Sequence, residues 1–267
     1  MKRILKIGMD VHTTNYTLCA MEPVIGEEDR IFATIKVTSD YKNILMFIEN
    51  LKQKLGLNHD YDIQCGYEAG CLGYSLYNQL TAAGIKCVIL APTTMLTQQG
   101  VRIKTDMRDA HMIAQCLLYG GYHAVYIPTE EDDSVKEYLR MRNDHKLALK
   151  KIKQQINAFC IRHGFCYDGR KWTQAHLKWI KELEITNRLY RETLDEYMAS
   201  YEEQEAKIER FDKRIEEIAA QIKYREKVKR LECFLGIKTH TALSLIVETG
   251  DFERFAKGNQ YAAYLGL

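Results

Sequence analysis

Along the first 90 residues the spacing of apolar positions changes repeatedly between two periods. Apolar runs at about 4–11, 15–21 and 30–37 carry the short, β-branched-rich signature of strands. A 3.6-residue period at about 40–55 then predicts a helix, followed by a strand at about 61–67, a helix at about 72–83 and a strand at about 85–90. The links between the first three strands are short and polar, as in His12-Thr13-Thr14-Asn15, which suits an antiparallel meander.

The resulting order, β-β-β-α-β-α-β, predicts an α/β chain that opens with a ribonuclease-H-like domain. Pro92 and Pro128 punctuate the path into and out of a further helix, and Thr129 with Asp132 reads as the cap of a long basic helix from about 131 to 163. Gly164 and Gly169 bracket a loop, so the first domain is expected to span residues 1–165. In the next region, 166–229, Tyr190, Leu194, Tyr197, Tyr201, Gln204, Ile208, Phe211, Ile215, Ile218 and Ile222 recur at gaps of four and three. That heptad pattern predicts a coiled coil through which copies of the chain assemble as a dimer or tetramer; a long helix packed in cis on its own domain is the alternative. Residues 230–267 change character again. Phe234-Leu235-Gly236-Ile237-Lys238-Thr239-His240-Thr241-Ala242 before an apolar helix is similar to a helix-hairpin-helix, the start of an incomplete C-terminal domain.

Composition narrows the class. Of 267 residues 46% are hydrophobic, enough for a packed core, yet no apolar run approaches the ~20 residues of a membrane helix. A soluble, cytoplasmic protein without a membrane partner is expected. Eight cysteines without a C-x-x-C pair read as reduced, buried thiols. A net charge of +2 does not by itself imply nucleic acid, but its distribution does. Lys136, Arg140, Arg142, Lys146, Lys150, Lys151, Lys153 and Arg162 face only Glu137 and Asp144 along the basic helix, a balance suited to phosphate. Lys238 and Thr239 at the glycine turn are further candidates, as are Lys104 and Arg108 beside the acids described next.

In Lys104-Thr105-Asp106-Met107-Arg108-Asp109-Ala110 two carboxylates stand three residues apart on one face of a helix start. Asp10 closes the apolar run Ile4–Met9, and Glu68 follows Tyr61–Tyr67, so two more acids lie at strand ends. Four converging carboxylates repel and raise one another's pKa, and hard oxygen donors meet that need with Mg²⁺ or Mn²⁺, here two ions. His12 reads equally as a participant in that site and as a polar turn residue capping a strand.

Gly8-Met9-Asp10-Val11-His12, Tyr67-Glu68-Ala69, Lys104–Ala110, Arg140-Met141-Arg142, Leu235-Gly236-Ile237 and Thr249-Gly250-Asp251-Phe252 together resemble the DEDD transposases. These are insertion-sequence recombinases with a RuvC-like N-terminal domain, a group that includes the pilin-gene invertases. The resemblance implies that Asp10, Glu68, Asp106 and Asp109 are the catalytic, metal-holding tetrad. It also implies a partner DNA, a structured guide RNA encoded by the element, and assembly through the coiled coil. Family members carry a nucleophilic serine shortly after the segment that here reads Tyr261–Leu267, and Ser244 lies too early to be that residue. Full strand exchange by these 267 residues alone is therefore not expected. Two other classes stay open: a metal-dependent nuclease of the Holliday-junction-resolving type, and a non-catalytic nucleic-acid-binding oligomerisation protein.

Overall fold

A computed structural model describes residues 3–24, 26–56, 61–95 and 105–267, in two compact units, Met1–Ile127 and Pro128–Leu267. The break falls before the basic helix, which packs with the helical unit; the expected boundary at 165 would have kept it with the sheet. Lys104, a candidate phosphate ligand, lies outside the described residues.

The first unit is built on strands β1 (Arg3–Val11), β2 (Asn15–Glu22) and β3 (Arg30–Thr38), helix α1 (Tyr41–Leu55), strand β4 (Tyr61–Glu68), helix α2 (Ser75–Ala82), strand β5 (Lys86–Leu90) and helix α3 (Asp106–Tyr119). The sheet runs in the order β3-β2-β1-β4-β5. β1, β2 and β3 pair antiparallel, whereas β4 runs parallel to both β1 and β5. Short polar turns permit the meander, and the parallel pairs need the crossovers that α1 and α2 supply. This order and direction are those of the ribonuclease-H-like fold that the alternation of apolar positions predicts.

Strand alternation assigns the two faces. Leu5, Ile7 and Met9 of β1, with Leu18 of β2, pack against Ile44, Ile48 and Leu80 of α1 and α2, all nearly inaccessible. On the opposite face Cys19 and Met21 meet Ala110 and Ala114 of α3, and Leu90 meets Ile113 and Leu117. Here α3 comes unusually close. A Cβ added to Gly8 would stand 2.1 Å from the Ala110 carbonyl oxygen and 2.2 Å from the Ala114 nitrogen. Gly66, the residue paired with Gly8, leaves room in the same way for the Leu117 side chain, which lies 2.8 Å from its would-be Cβ.

The second unit comprises α4 (Glu130–Arg162), α5 (Gln174–Lys181), α6 (Arg188–Ala219), α7 (Ile222–Glu232), α8 (Thr239–Thr249) and α9 (Gly258–Tyr264). Thr129 caps α4 by accepting a hydrogen bond from the Asp132 amide, as its spacing predicts. Helices α4 and α6 form an antiparallel pair: Phe159 contacts Tyr197 near one end, and Arg142 contacts Asp212 near the other. Leu194, Met198 and Tyr201 of α6 are buried with Leu149, Ile156 and Phe159 of α4, and Ile215 and Ile218 with Val135, Leu139, α7 and α8. Gln204, also buried, donates to the His145 carbonyl at 2.9 Å. The heptad stripe is thus covered in cis, correcting the expectation that it meets another copy of the chain. Tyr190 and Ile222 at its two ends are exposed. A period of 3.5 residues reports that a helix face is apolar, and it is silent on which chain covers that face.

The C-terminal hairpin is present as two helices, α7 and α8, joined through Gly236 at φ 89°, a conformation glycine adopts without strain. Of the cysteines, Cys71, Cys166 and Cys233 are exposed, contrary to the expectation of buried thiols.

Gly8→Ala should lower the free energy of unfolding by about 1–3 kcal/mol or more, because the backbone of α3 blocks the added methyl. A urea unfolding curve with a reduced midpoint and unchanged slope would report it.

Candidate metal centre

The register of the sheet sets one row of polar residues across the α3 face. Asp10 pairs with Thr17, and Thr17 with Lys36, so the three side chains share a face on neighbouring strands. Glu68 follows Tyr67, the partner of Met9, and so lies one step along β4 at the level of Asp10. Its face is that of Gly66, under α3.

Helix α3 brings the remaining acids. Thr105 caps it, accepting from the Arg108 amide, and Asp106 and Asp109 fall in its first turn, where the helix dipole favours negative charge. Because Gly8 and Gly66 let the helix lie against the sheet, this turn ends up over Asp10. Oxygens of Asp10 and Asp106 and a ring nitrogen of His12 all lie within 4.8 Å of one another, the single such group among the described residues. The His12 Nε2 is 3.2 Å from the Asp10 Oδ2. Asp109 acts on Asp10 through its charge, and neither it nor Glu68 belongs to the closest group.

The electrostatics divide the acids. Burial pushes the Asp10 carboxyl above its ordinary value; His12 opposes this, and the charges of Asp106 and Asp109 add to it. Asp106 goes the other way, held down chiefly by a hydrogen bond from the Lys36 ammonium at 2.7 Å. The Thr17 hydroxyl, on a residue with no exposed surface, has no hydrogen-bond partner among the described residues. A desolvated acid, like charges around it and an orphaned hydroxyl beside it are the setting a divalent cation relieves, and carboxylate oxygens are donors of the right hardness. The residues fit such an ion.

Sequence reasoning missed Lys36 and Thr17. Neither has a motif of its own; only the register of two hairpins reveals that they share the face of Asp10.

The candidate phosphate ligands differ in exposure and in their partners. Lys146, Lys150 and Lys151 are exposed on α4, and Arg108 on α3. Arg140 is also exposed but bonds Glu137 at 2.8 Å and Glu248 at 3.2 Å. Lys153 lies 3.4 Å from Glu205 and 5.3 Å from the ring centres of Trp172 and Tyr201. Arg142 requires correction: it is buried and makes a bidentate pair with Asp212, at 2.7 and 2.9 Å, which spends its donors inside the helical unit. Lys238 is exposed, while the Thr239 hydroxyl donates to Glu232 at 2.7 Å.

The sheet order and the acids gathered over β1 define a ribonuclease-H-like protein with an acidic centre. Residues 7–160 match the DEDD family of IS110 type, described as Transposase, and residues 228–267 match the Transposase IS116/IS110/IS902 family. The transposase for insertion sequence element IS1533 of Leptospira borgpetersenii is 34% identical, over 97% of this chain and 73% of its own length. The transposase for insertion sequence element IS1111A of Coxiella burnetii is 24% identical, over 100% of this chain and 69% of its own. The Thermus thermophilus RuvC structure covers 45% of this chain and 99% of its own with 11% identity and a TM-score of 0.32, too low to weigh. The chain belongs to the IS110 family of DEDD insertion-sequence transposases.

A group whose folded pKa is raised holds its proton more tightly in the folded state, so it subtracts stability at pH values above that pKa. Asp10→Asn in chelator at pH 7 should therefore raise the melting temperature, by about 2–4 °C per kcal/mol relieved. The gain should vanish as pH falls to the ordinary carboxylate value near 3.8, which calorimetry over a pH series would record.

Proposed function

We propose that these residues form the metal-dependent centre of a DNA recombination reaction, with Asp10, Glu68, Asp106 and Asp109 holding two Mg²⁺ or Mn²⁺ ions against the scissile phosphate. The observation that carries the reading is the convergence of Asp106 with Asp10 beneath the first turn of α3. Divalent cations bound there would lower the pKa of an attacking oxygen and stabilise charge on the pentavalent phosphorus.

The residues of the chain prepare that chemistry. Asp10, fixed in the central strand, is desolvated among like charges and so gains from a cation. Asp106 accepts a hydrogen bond from the Lys36 ammonium, which keeps its carboxylate ionised. The first turn of α3 sets the positive end of a helix dipole at Asp106 and Asp109. Family resemblance supplies the remainder: a serine following Tyr261–Leu267 as the attacking group, and an element-encoded RNA that selects the DNA. On α4 the exposed Lys146, Lys150 and Lys151 are the residues offered to a nucleic-acid backbone.

Titration calorimetry with Mn²⁺ and Mg²⁺ tests the centre: Asp106→Asn and Glu68→Gln should each weaken binding by roughly 10–100-fold. Unchanged affinity in both would discard the assignment. The product of branched-DNA cleavage separates the remaining classes. Nicking by these residues alone, with no protein on the DNA end, would move the reading to a resolvase-type nuclease.

Binding of structured RNA and duplex DNA across a salt series tests the basic helix. Lys150→Ala and Lys151→Ala should each reduce the slope of log affinity against log salt by about 0.7–0.9, whereas Arg142→Met should leave the slope unchanged and lower stability.

A further inference from the structure

We infer that His12 is a metal ligand, making this a mixed nitrogen and oxygen centre that holds Mn²⁺ in preference to Mg²⁺. The inference rests on the metal-dependent reading above and deepens it, because a set of four carboxylates alone would carry a smaller preference.

The argument begins with distances. Donors bound 2.0–2.3 Å from one ion stand about 3 Å apart when adjacent and about 4–4.5 Å apart when opposite. The His12 Nε2 and Asp10 Oδ2 are separated by 3.2 Å, the spacing of an adjacent pair. A simple hydrogen bond would give the same value. It would not require Asp106, from another element, to bring an oxygen within the same 4.8 Å group.

The backbone places the ring where it is. His12 follows β1 directly, and its amide donates to the Asn15 carbonyl at 2.9 Å, closing the turn into β2. This fixes the base of the imidazole two residues beyond Asp10 while half of the side chain stays open to solvent, 52% exposed. An entering ion therefore meets the ring from the outer side.

Beside these donors the Thr17 hydroxyl is buried and unpartnered among the described residues, on the strand position directly opposite Asp10. A hydroxyl in that position can bond a water or a carboxylate oxygen that is itself bound to the ion, which would repay its burial. Neither His12 nor Thr17 belongs to the four carboxylates of the tetrad.

The preference follows from the donor set. Mg²⁺ demands oxygen ligands in a strict octahedron and gives up its water reluctantly, whereas the first-row transition ions accept imidazole. A nitrogen at one corner thus gains more with Mn²⁺ than with Mg²⁺.

The test uses the chain loaded with Mn²⁺ alone, read by electron spin echo modulation for nitrogen coupling and by calorimetry for affinity. Nitrogen coupling should be present in the unaltered chain and lost in both His12→Ala and His12→Gln. The ratio of Mn²⁺ to Mg²⁺ affinity should fall by about tenfold in each. Gln can still donate a hydrogen bond to Asp10, so recovery of the ratio in His12→Gln would reduce His12 to a hydrogen-bond donor and overturn the ligand role. Coupling that is absent, or that persists without His12, overturns it equally. Asp10→Asn distinguishes the two levels: if it leaves Mn²⁺ binding intact, the metal centre itself is wrongly placed, whereas its loss beside an unchanged His12→Ala removes only the imidazole.

Discussion

The contact on which the first unit depends is backbone against backbone, at the point where α3 crosses β1. Gly8 lies under the Ala110 carbonyl and the Ala114 amide, with no space for a side chain between them. Two alanines on the helix and two glycines on the sheet are the smallest residues available, and together they lower α3 until its first turn stands beside the strand end. If the helix were raised by a side-chain layer, its acids would be carried away from Asp10. Packing and chemistry therefore share a single dimension, the height of one helix above one sheet.

The strands were legible in the sequence because alternation is a local property, and the acids were legible because each sits at a boundary that alternation makes visible. Asp10 is the last residue but one of β1, Glu68 closes β4 and Asp106 opens α3. Thr17 and Lys36 were not legible for the converse reason. Each is an ordinary residue in the middle of a strand, and it gains meaning only from its neighbours across two hairpins, whose register depends on the whole sheet. His12 lay between these cases: its position beside an acid was apparent, but the acid it shares with Asp106 could be known only once α3 was in place.

In the helical unit the sequence misled in two instructive places. The stripe from Leu194 to Ile218 has the period of a coiled coil, yet the surface it fits is α4 of the same chain, and Gln204 finds its partner at His145. Arg142 lies in a run of basic residues and would count towards a phosphate-binding face by composition alone. Its guanidinium instead faces inward to Asp212, seventy positions away. Charge read along a chain gives the sum of a region, whereas the surface a ligand meets is what remains after internal pairs are subtracted. Among the described residues of α4 that remainder is Lys146, Lys150, Lys151 and Arg162, fewer charges than the run itself carries.

The pairing of Lys36 with Asp106 has a consequence for how the centre fills. The helix start is never a bare cluster of negative charge, since a tethered ammonium already sits against one of its carboxylates. An ion arriving at Asp106 would have to compete with a cation that belongs to the protein. The occupancy of such a centre would be set by the difference between two attractions, and the tether would determine how far the outgoing charge could retreat.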